Sequence, residues 1–296
     1  MKKYIAALMG AAMLASVAKA QDANDLLNME DTKPKKELTT ATFKTTRNVN
    51  FHTTEVLGKH CLDFRISHRF GDINGGAYNA WGLDGGANIR LGLEYSNDGR
   101  LMFGIGRTST GKIVDDFLKY RLLRQTTNNS MPVSVTLLTS MFYTFERTKI
   151  DGENYYKNST DRMSFCNEIM IARKFSTRFS LELMGAMVHY NLVQAITDRN
   201  DCYLVGAVTR FKFTKRQAIT LEYAHRLNLY TNEKFYDSFG IGYDLETGGH
   251  VFQISLTNSF GITENQYLMY TNTTWSNVGI RLGFNISRVF ALKKES

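Results

Sequence analysis

Residues 89–95 read Ile-Arg-Leu-Gly-Leu-Glu-Tyr, with an apolar side chain at every second position. Because successive side chains of a β-strand point to opposite faces, this alternation predicts a strand with one apolar and one polar face. The composition agrees, since 19 Phe, 15 Tyr and 23 Gly stand beside only 2 Pro, and proline is rare inside sheets. About a dozen segments repeat the pattern. They centre on residues 62–66, 89–95, 101–105, 118–122, 133–144, 165–171, 179–183, 203–211, 219–223, 239–245, 252–256 and 278–286.

The start of the chain has the pattern of an export signal. Lysines at positions 2 and 3 precede an apolar stretch at 4–17, and residues 18–20, Ala-Lys-Ala, form a small-residue cleavage site. This combination predicts a cleaved signal peptide over residues 1–20 and therefore an exported protein. No later apolar run approaches the roughly 18 residues expected of a membrane-spanning helix.

The connections between the segments alternate in length. Tight turns are predicted at 97–99, 174–177, 214–217 and 246–249, and longer polar connections at 70–86, 146–161, 190–201 and 259–276. Short periplasmic turns and longer outer loops are typical of outer-membrane barrels, and an even strand count places both termini in the periplasm. In lipid the sheet must close, because an open edge would leave N–H and C=O groups unpaired. The sequence therefore predicts an all-β fold, a closed antiparallel up-and-down transmembrane β-barrel of about 12 strands in the cell outer membrane.

The pattern also divides the chain. Residues 21–59 form a polar N-terminal segment that we expect to be periplasmic or inserted into the lumen, since counting its alternation at 42–51 as a strand would make the strand number odd. Residues 60–290 are predicted to form the barrel, and residues 291–296 a C-terminal tail. The alternative is a secreted β-sandwich, which would bury the apolar faces between two sheets. It accounts less well for the charged residues opposite most apolar rows.

Several stretches resemble a family of Bacteroidetes outer-membrane β-barrels, the domain of unknown function 5777. The most characteristic are Glu246-Thr-Gly-Gly-His-Val-Phe-Gln253 and Gly283-Phe-Asn-Ile-Ser-Arg-Val-Phe290. The others are residues 63–71, 82–84, 87–93, 117–125 and 171–175, so the resemblance runs from about Thr42 to Phe290. It implies a barrel in the outer membrane of a Gram-negative bacterium, and it implies no reaction, substrate or site residue.

Charged side chains occupy the faces opposite the apolar rows, and these faces line the lumen if the apolar rows contact lipid. The residues expected in the lumen are Asp63, Arg65, Arg90, Glu94, Lys119, Arg121, Glu168, Glu182, Arg210, Lys212, Glu222, Arg226, Asp244 and Arg281. One interpretation is a network of cross-strand ion pairs that fills a narrow barrel. The other is a polar pore with a slight preference for anions, since eight of these residues are basic and six are acidic. Paired charges select ions less strongly than a ring of one sign.

Two further features of the barrel allow more than one interpretation. Glycines crowd the inner face, which indicates either strand curvature or room for an inserted segment, such as residues 21–59 or the loop 70–86. Loop aromatics, among them Tyr155, Tyr267 and Tyr270, are expected in the interfacial girdle. Alternatively, they form a platform on which a sugar or another ligand stacks.

No catalytic, metal-binding or cofactor-binding pattern stands out. Residues 106–112, Gly-Arg-Thr-Ser-Thr-Gly-Lys, nearly form a phosphate-binding loop, but Ile113 replaces the hydroxyl residue that would coordinate a metal. The six histidines are scattered, and Cys61, Cys166 and Cys202 lack the spacing of a metal site. We therefore predict no cofactor, no metal and no enzymatic activity. The mild positive charge requires no nucleic acid as a partner.

The leading functional hypothesis is a pore or small-solute channel in the outer membrane. The alternative is a non-conducting barrel that serves as a binding or structural scaffold. A lipid-active enzyme, with His189 on the apolar face, is a third possibility. The predicted partners are outer-membrane lipid and lipopolysaccharide, the barrel-assembly machinery during biogenesis, and a small solute.

Overall fold

The computed structural model describes residues 37–150, 152–228, 231, 233–247 and 250–292. The predicted signal peptide, residues 21–36 and residues 293–296 of the predicted tail lie outside this part of the chain. The strands of the described part are β1 (Cys61–Asp72), β2 (Asn88–Ser96), β3 (Leu101–Thr108), β4 (Ile113–Leu123), β5 (Ser134–Thr144), β6 (Lys149–Ile150), β7 (Glu153–Asn154), β8 (Met163–Lys174), β9 (Phe179–Tyr190), β10 (Asp201–Lys212), β11 (Gln217–Arg226), β12 (Phe239–Thr247), β13 (His250–Thr257) and β14 (Arg281–Ala291).

Twelve of these strands form one closed antiparallel barrel, and β6 and β7 pair only with each other in a loop. Strands that follow one another around the barrel also follow one another in sequence, and β14 closes the sheet on β1. The closing register pairs Cys61 with Ala291 and Ser67 with Asn285. The predicted closed barrel of 12 strands is therefore confirmed.

The alternating rows of the sequence become the two faces of the barrel wall. Phe64, Leu93 and Ile105 are neighbours across β1, β2 and β3, and all three side chains are exposed. Asp63 and Glu94, one position away, are paired on the opposite face and buried. An outer surface of this kind, largely apolar but with Asp116 and Asn167 exposed on it, matches the lipid-facing band of a membrane barrel. No helix in the described ranges is both long and apolar enough to span a bilayer.

The two ends of the barrel differ in their connections. One end, here called the turn end, carries β2–β3, β4–β5, β8–β9 and β10–β11 and both ends of the described chain, and these connections are short except β4–β5, which spans residues 124–133. The other, the loop end, carries the longer connections and the short β3–β4 connection at residues 109–112. These contain short 3₁₀ segments at Ile73–Gly82, Thr110–Lys112, Thr160–Arg162 and Trp275–Asn277, and a single helical turn, α1 (Glu264–Tyr267).

The final strand begins later than its sequence pattern predicts. The alternation starts at Val278, but β14 starts at Arg281. Val278 has a φ of 54°, and its N–H donates to the Trp275 carbonyl at the end of a 3₁₀ turn. The turn therefore occupies the first three residues of the alternating segment.

Candidate functional site: a lumen filled by the chain itself

The structure places all 14 side chains predicted to line the lumen on the inner face of the wall. Eleven of them are buried, whereas Lys212, Arg226 and Arg281, near strand ends, are half-buried. With the residues that sequence reasoning missed, the buried set of the described chain contains seven basic and eight acidic side chains beside His52. The interior therefore has no basic excess.

Residues 42–57, here called the plug, occupy the lumen ahead of the first strand. The chain enters at the turn end, where the Thr39 N–H donates to the Gln125 carbonyl. All plug residues except Lys44 and Glu55 are buried. The plug turns back at residues 48–51, where the Asn48 N–H donates to the Phe51 carbonyl at 2.7 Å. It is thus a bent segment inserted from the turn end, with its tip inside the barrel.

Wall carboxylates hold N–H groups of the plug backbone. Glu222 accepts the backbone N–H groups of Asn50, at 2.9 Å, and of Phe51, at 3.2 Å. Glu182 accepts the N–H of Thr54 at 2.6 Å. Hydrogen bonds to a charged group stabilise a structure by about 1.5–3 kcal/mol each. Two of the predicted lumen carboxylates therefore bind the plug.

Wall donors hold plug carbonyls in the same way. The Lys119 ammonium donates to the Thr46 carbonyl at 3.0 Å, and Arg69 donates to the Val49 carbonyl at 2.6 Å. The Asn285 amide also donates to the Val49 carbonyl, at 3.0 Å. These backbone hydrogen bonds act beside the apolar contacts of Phe43, Phe51, Val56 and Leu57, and each hydrogen-bonding group can exchange its partner for water.

Cross-strand ion pairs account for only part of the inner charge. Arg90 and Asp115 form a buried pair at 2.5 Å, and Arg210 lies 3.0 Å from Glu246. Gly106, on β3 between the strands of Arg90 and Asp115, makes room for this pair, because a β-carbon there would lie 2.4 Å from Arg90 Nη2. The predicted ion-pair network therefore exists locally, alongside the plug contacts.

Part of the inner wall is apolar, which sequence reasoning missed. The inward positions of β8, β9 and β10 carry Met170, Met184, Val188, Leu204 and Val208, all buried. They belong to the same apolar cluster as Phe51 of the plug. The signal was present in the sequence, since these segments carry few charges at their inward positions.

The loop 259–271, here called the loop insertion, enters the barrel from the loop end and meets the plug. The carboxylate of Glu264 lies 2.6 Å from Arg47 Nη1 and 3.2 Å from His52 Nε2. The Tyr267 ring stacks on Phe51 with centroids 5.1 Å apart. We call the contacts of Arg47, Phe51, Glu264 and Tyr267 the latch. The plug and the loop insertion together form a septum across the lumen.

The prediction that Tyr267 lies in the interfacial girdle is wrong. Its side chain is 0% exposed, because the loop insertion folds into the barrel rather than along its rim. The loop 70–86, considered in the sequence as a candidate insert, instead carries Tyr78 at 96% exposure. The inserted loop is 259–271. Within it Thr263 donates to Asn265 Oδ1 at 2.7 Å, and Asn265 donates to Ser164 of the wall at 3.0 Å.

Two inner glycines make room for the plug. A β-carbon on Gly242 would lie 2.9 Å from Val49 Cγ2, and one on Gly206 would lie 3.2 Å from Phe51 Cε2. Both contacts are tighter than ordinary van der Waals distances. The same β-carbons would also crowd the wall, at 2.4 Å from Thr220 Oγ1 for Gly242 and 2.9 Å from Met184 Cε for Gly206. These two glycines therefore accommodate the close packing of the wall and the plug together.

The septum separates two cavities. The turn-end cavity, about 460 Å³, is lined by charged groups that include Lys44, Glu55, Arg65 and Glu246. The loop-end cavity, about 720 Å³, is lined by loop residues and by Asn265 and Gln266 of the loop insertion. Each cavity reaches the septum from its own side of the barrel.

The burial of His52 predicts that the docking of the plug depends on pH. Burial and the neighbouring Arg47 and Lys119 cations hold the pKa of the His52 imidazole well below its usual value. A released plug would expose His52 to water, where its pKa is about 6.5. Because the released state then binds the extra proton, docking weakens as the pH falls below about 6.5, by at most about 1.4 kcal/mol per pH unit.

Hydrogen–deuterium exchange of plug amides measures this effect. We expect protection of residues 42–57 to fall below pH 6.5, and to fall less in His52→Gln than in the wild type. His225→Gln, at an exposed position near the loop end, is the matched control and should behave as the wild type. Identical pH profiles for the wild type and His52→Gln would contradict this role of His52.

The closed wall, the apolar outer rows and the polar interior define a membrane β-barrel. The chain belongs to the family described as "Membrane bound beta barrel domain (DUF5777)", which matches residues 43–290. The matched region therefore includes most of the plug as well as the wall. No curated protein matches the chain.

Solved structures with a similar fold include membrane pores. The NanC porin is 9% identical with a TM-score of 0.49, and the match covers 77% of this chain and 98% of that one. The KdgM porin is 8% identical with a TM-score of 0.47, covering 78% and 99%. The CymD monoaromatic hydrocarbon channel is 8% identical with a TM-score of 0.37, covering 79% and 89%.

Proposed function

We propose that the protein is an outer-membrane channel for small solutes whose lumen is closed by its own plug and opens when the plug moves. The observation that supports the proposal is the septum between two cavities, each large enough to hold a small solute. A barrel that served only as a scaffold would need no cavity at either end. The turn end faces the periplasm in this proposal, because short turns and both termini lie on that side of outer-membrane barrels.

The way in which the plug is held supports a movable closure. Glu182, Glu222, Lys119, Arg69 and Asn285 hold its backbone by hydrogen bonds. Water can replace each of these partners when the plug leaves, so the polar wall groups keep hydrogen-bond partners after release. The wall itself is held by its inter-strand ladder, which is independent of the plug.

The cellular setting follows from the same proposal. The export signal at residues 1–20 delivers the chain to the periplasm, where the barrel-assembly machinery inserts it. The apolar outer rows then contact outer-membrane lipid, with lipopolysaccharide at the loop end. No catalytic role is assigned, and transport needs neither a cofactor nor a nucleic acid.

A reversible lock on the plug tests the proposal. Val49 of the plug and Gly242 of the wall are in contact, and a disulfide spans β-carbons about 3.5–4.5 Å apart. We expect Val49→Cys/Gly242→Cys, with the three native cysteines replaced by Ala, to show no channel openings in planar bilayers when oxidised and to regain them under dithiothreitol. The two single-cysteine variants are the controls and should be insensitive to reductant. Equal conductance in the oxidised and reduced states, with the disulfide verified by mass spectrometry, would refute plug movement as the opening step.

A further inference from the structure

The loop-end cavity combines aromatic rings with groups that both donate and accept hydrogen bonds. Tyr155 and Tyr156 form an edge-on pair with centroids 4.9 Å apart, and Tyr190 and Tyr270 form another at 5.4 Å. All four rings line the cavity. Its volume, about 720 Å³, lies within the usual range for small-ligand sites.

The polar lining favours a ligand rich in hydroxyl groups. The cavity contains the side-chain amides of Gln194 and Asn272 together with threonine hydroxyls, whereas the amides of Asn265 and Gln266 in its floor already donate to Ser164 and to the Thr110 carbonyl. An amide offers both donors and acceptors, and a ligand hydroxyl needs both.

The charges of the cavity disfavour an anion. Among its described lining residues, Glu146, Asp161 and Glu233 stand against one cation, Arg162. The Arg162 guanidinium already lies 4.5 Å over the Tyr156 ring and donates to the Thr144 and Glu146 carbonyls. An acidic ligand would therefore meet three carboxylates and an arginine that is engaged elsewhere.

We propose that the loop-end cavity is a binding site for a neutral oligosaccharide, with tyrosine rings against the C–H faces of the sugar and amides on its hydroxyls. The site lies at the outer mouth of the channel under "Proposed function", and in that function it captures the solute before the septum opens.

The floor of the cavity connects the site to the plug. Asn265 and Gln266 line the cavity, and their neighbours Glu264 and Tyr267 contact Arg47 and Phe51 of the plug. The Gln266 amide also donates to the Thr110 carbonyl at the rim, at 3.1 Å. A ligand that pulls Gln266 toward the cavity acts on the same single turn of helix that holds the latch.

Calorimetric titration of the full-length protein in detergent tests the binding site without reference to conduction. The probes are maltohexaose, cellohexaose, xylohexaose and mannohexaose as neutral oligosaccharides, trigalacturonate as an acidic one, and spermidine as a cation. We expect at least one neutral oligosaccharide to bind and the other two classes not to bind. Absence of binding by every neutral probe, or tighter binding of trigalacturonate or spermidine, would overturn the proposal.

Variants of Tyr155 locate the site. Tyr155→Ala should weaken binding roughly three- to tenfold through loss of the ring contact, whereas Tyr155→Phe keeps the ring and should bind nearly as the wild type does. Tyr78→Ala, in the exposed loop outside the cavity, is the matched control. Unchanged affinity in Tyr155→Ala, with the barrel shown to be folded by its thermal transition, would place the ligand elsewhere.

The coupling to the plug has a separate readout. The neutral oligosaccharide that binds should change the open probability of wild-type channels in planar bilayers, and Glu264→Gln should remove this response while leaving the calorimetric affinity within about twofold. Binding without any conductance would contradict the channel function but would still support the proposed binding site. Conductance without binding would contradict the site and leave the channel intact.

Discussion

Replacement of residues 42–57 by a Gly/Ser segment of the same length is expected to convert a closed lumen into a permanently open one. In planar bilayers the wild-type protein should open rarely, whereas this variant should show large, stable conductance steps at all voltages. The physical reason is that every plug residue except Lys44 and Glu55 is buried. A flexible Gly/Ser segment would not pack against the inner wall, and water would fill the space.

The barrel itself should survive this replacement. Its strands are joined by the backbone ladder around the full circumference, and Glu182, Glu222, Lys119 and Arg69 gain water when they lose the plug. Replacement of residues 73–82, which lie outside the barrel around the exposed Tyr78, by a Gly/Ser segment of equal length is the control and should leave conductance unchanged. If the plug replacement also leaves conductance unchanged, the loop insertion alone closes the lumen and the plug is not the gate.

The wall could be predicted from the sequence because the faces of a strand are a local property. Each alternating segment shows which residues share a face of its strand. The alternation alone therefore assigned all 14 charged side chains to the inner face of the barrel. The prediction missed inward charged residues near the ends of strands. Arg69 and Asp115 belong to the same inner rows but lie just beyond the stretches whose alternation is clearest.

The sequence left residues 21–59 either periplasmic or inserted into the lumen. The contacts of the plug and the latch could not be predicted because they join residues far apart in the chain. Asn50 and Glu222 are separated by 172 positions, and Arg47 and Glu264 by 217. The pattern of residues 42–51 resembles a strand, yet this segment bends inside the lumen, where wall side chains rather than a neighbouring strand take up its backbone groups. The inner glycines gave the available hint, and at Gly206 and Gly242 it pointed to an inserted segment.

The same separation explains why the inner charges allowed two interpretations. A carboxylate such as Glu222 satisfies the alternation rule whether it faces water, a cross-strand arginine or an inserted backbone. Only its position relative to Asn50 and Phe51 shows that it holds the plug. The basic excess predicted for the wall is absent from the buried side chains because three of its basic members, Lys212, Arg226 and Arg281, are only half-buried.

Leu93→Arg should destabilise the barrel in the membrane by about 2–4 kcal/mol, the cost of an arginine on the lipid face near the bilayer midplane. Leu93 lies near the middle of β2, between Phe64 of β1 and Ile105 of β3, and is 46% exposed. Its directly paired outward neighbours on the two adjacent strands, Phe64 and Ile105, are apolar. The measurement is the free energy of unfolding from lipid vesicles in urea.

Leu122→Arg is the matched control for depth. Leu122 is the same residue type on the same outer face, is 44% exposed, and lies next to the last residue of β4 at the turn end. Because the cost of an arginine falls to about 0–1 kcal/mol near the interface, Leu122→Arg should unfold almost as the wild type does. A similar loss in both variants would show that the effect is independent of depth and would contradict the placement of these rows against lipid, whereas a loss only in Leu93→Arg locates the bilayer midplane on the outer face of β2.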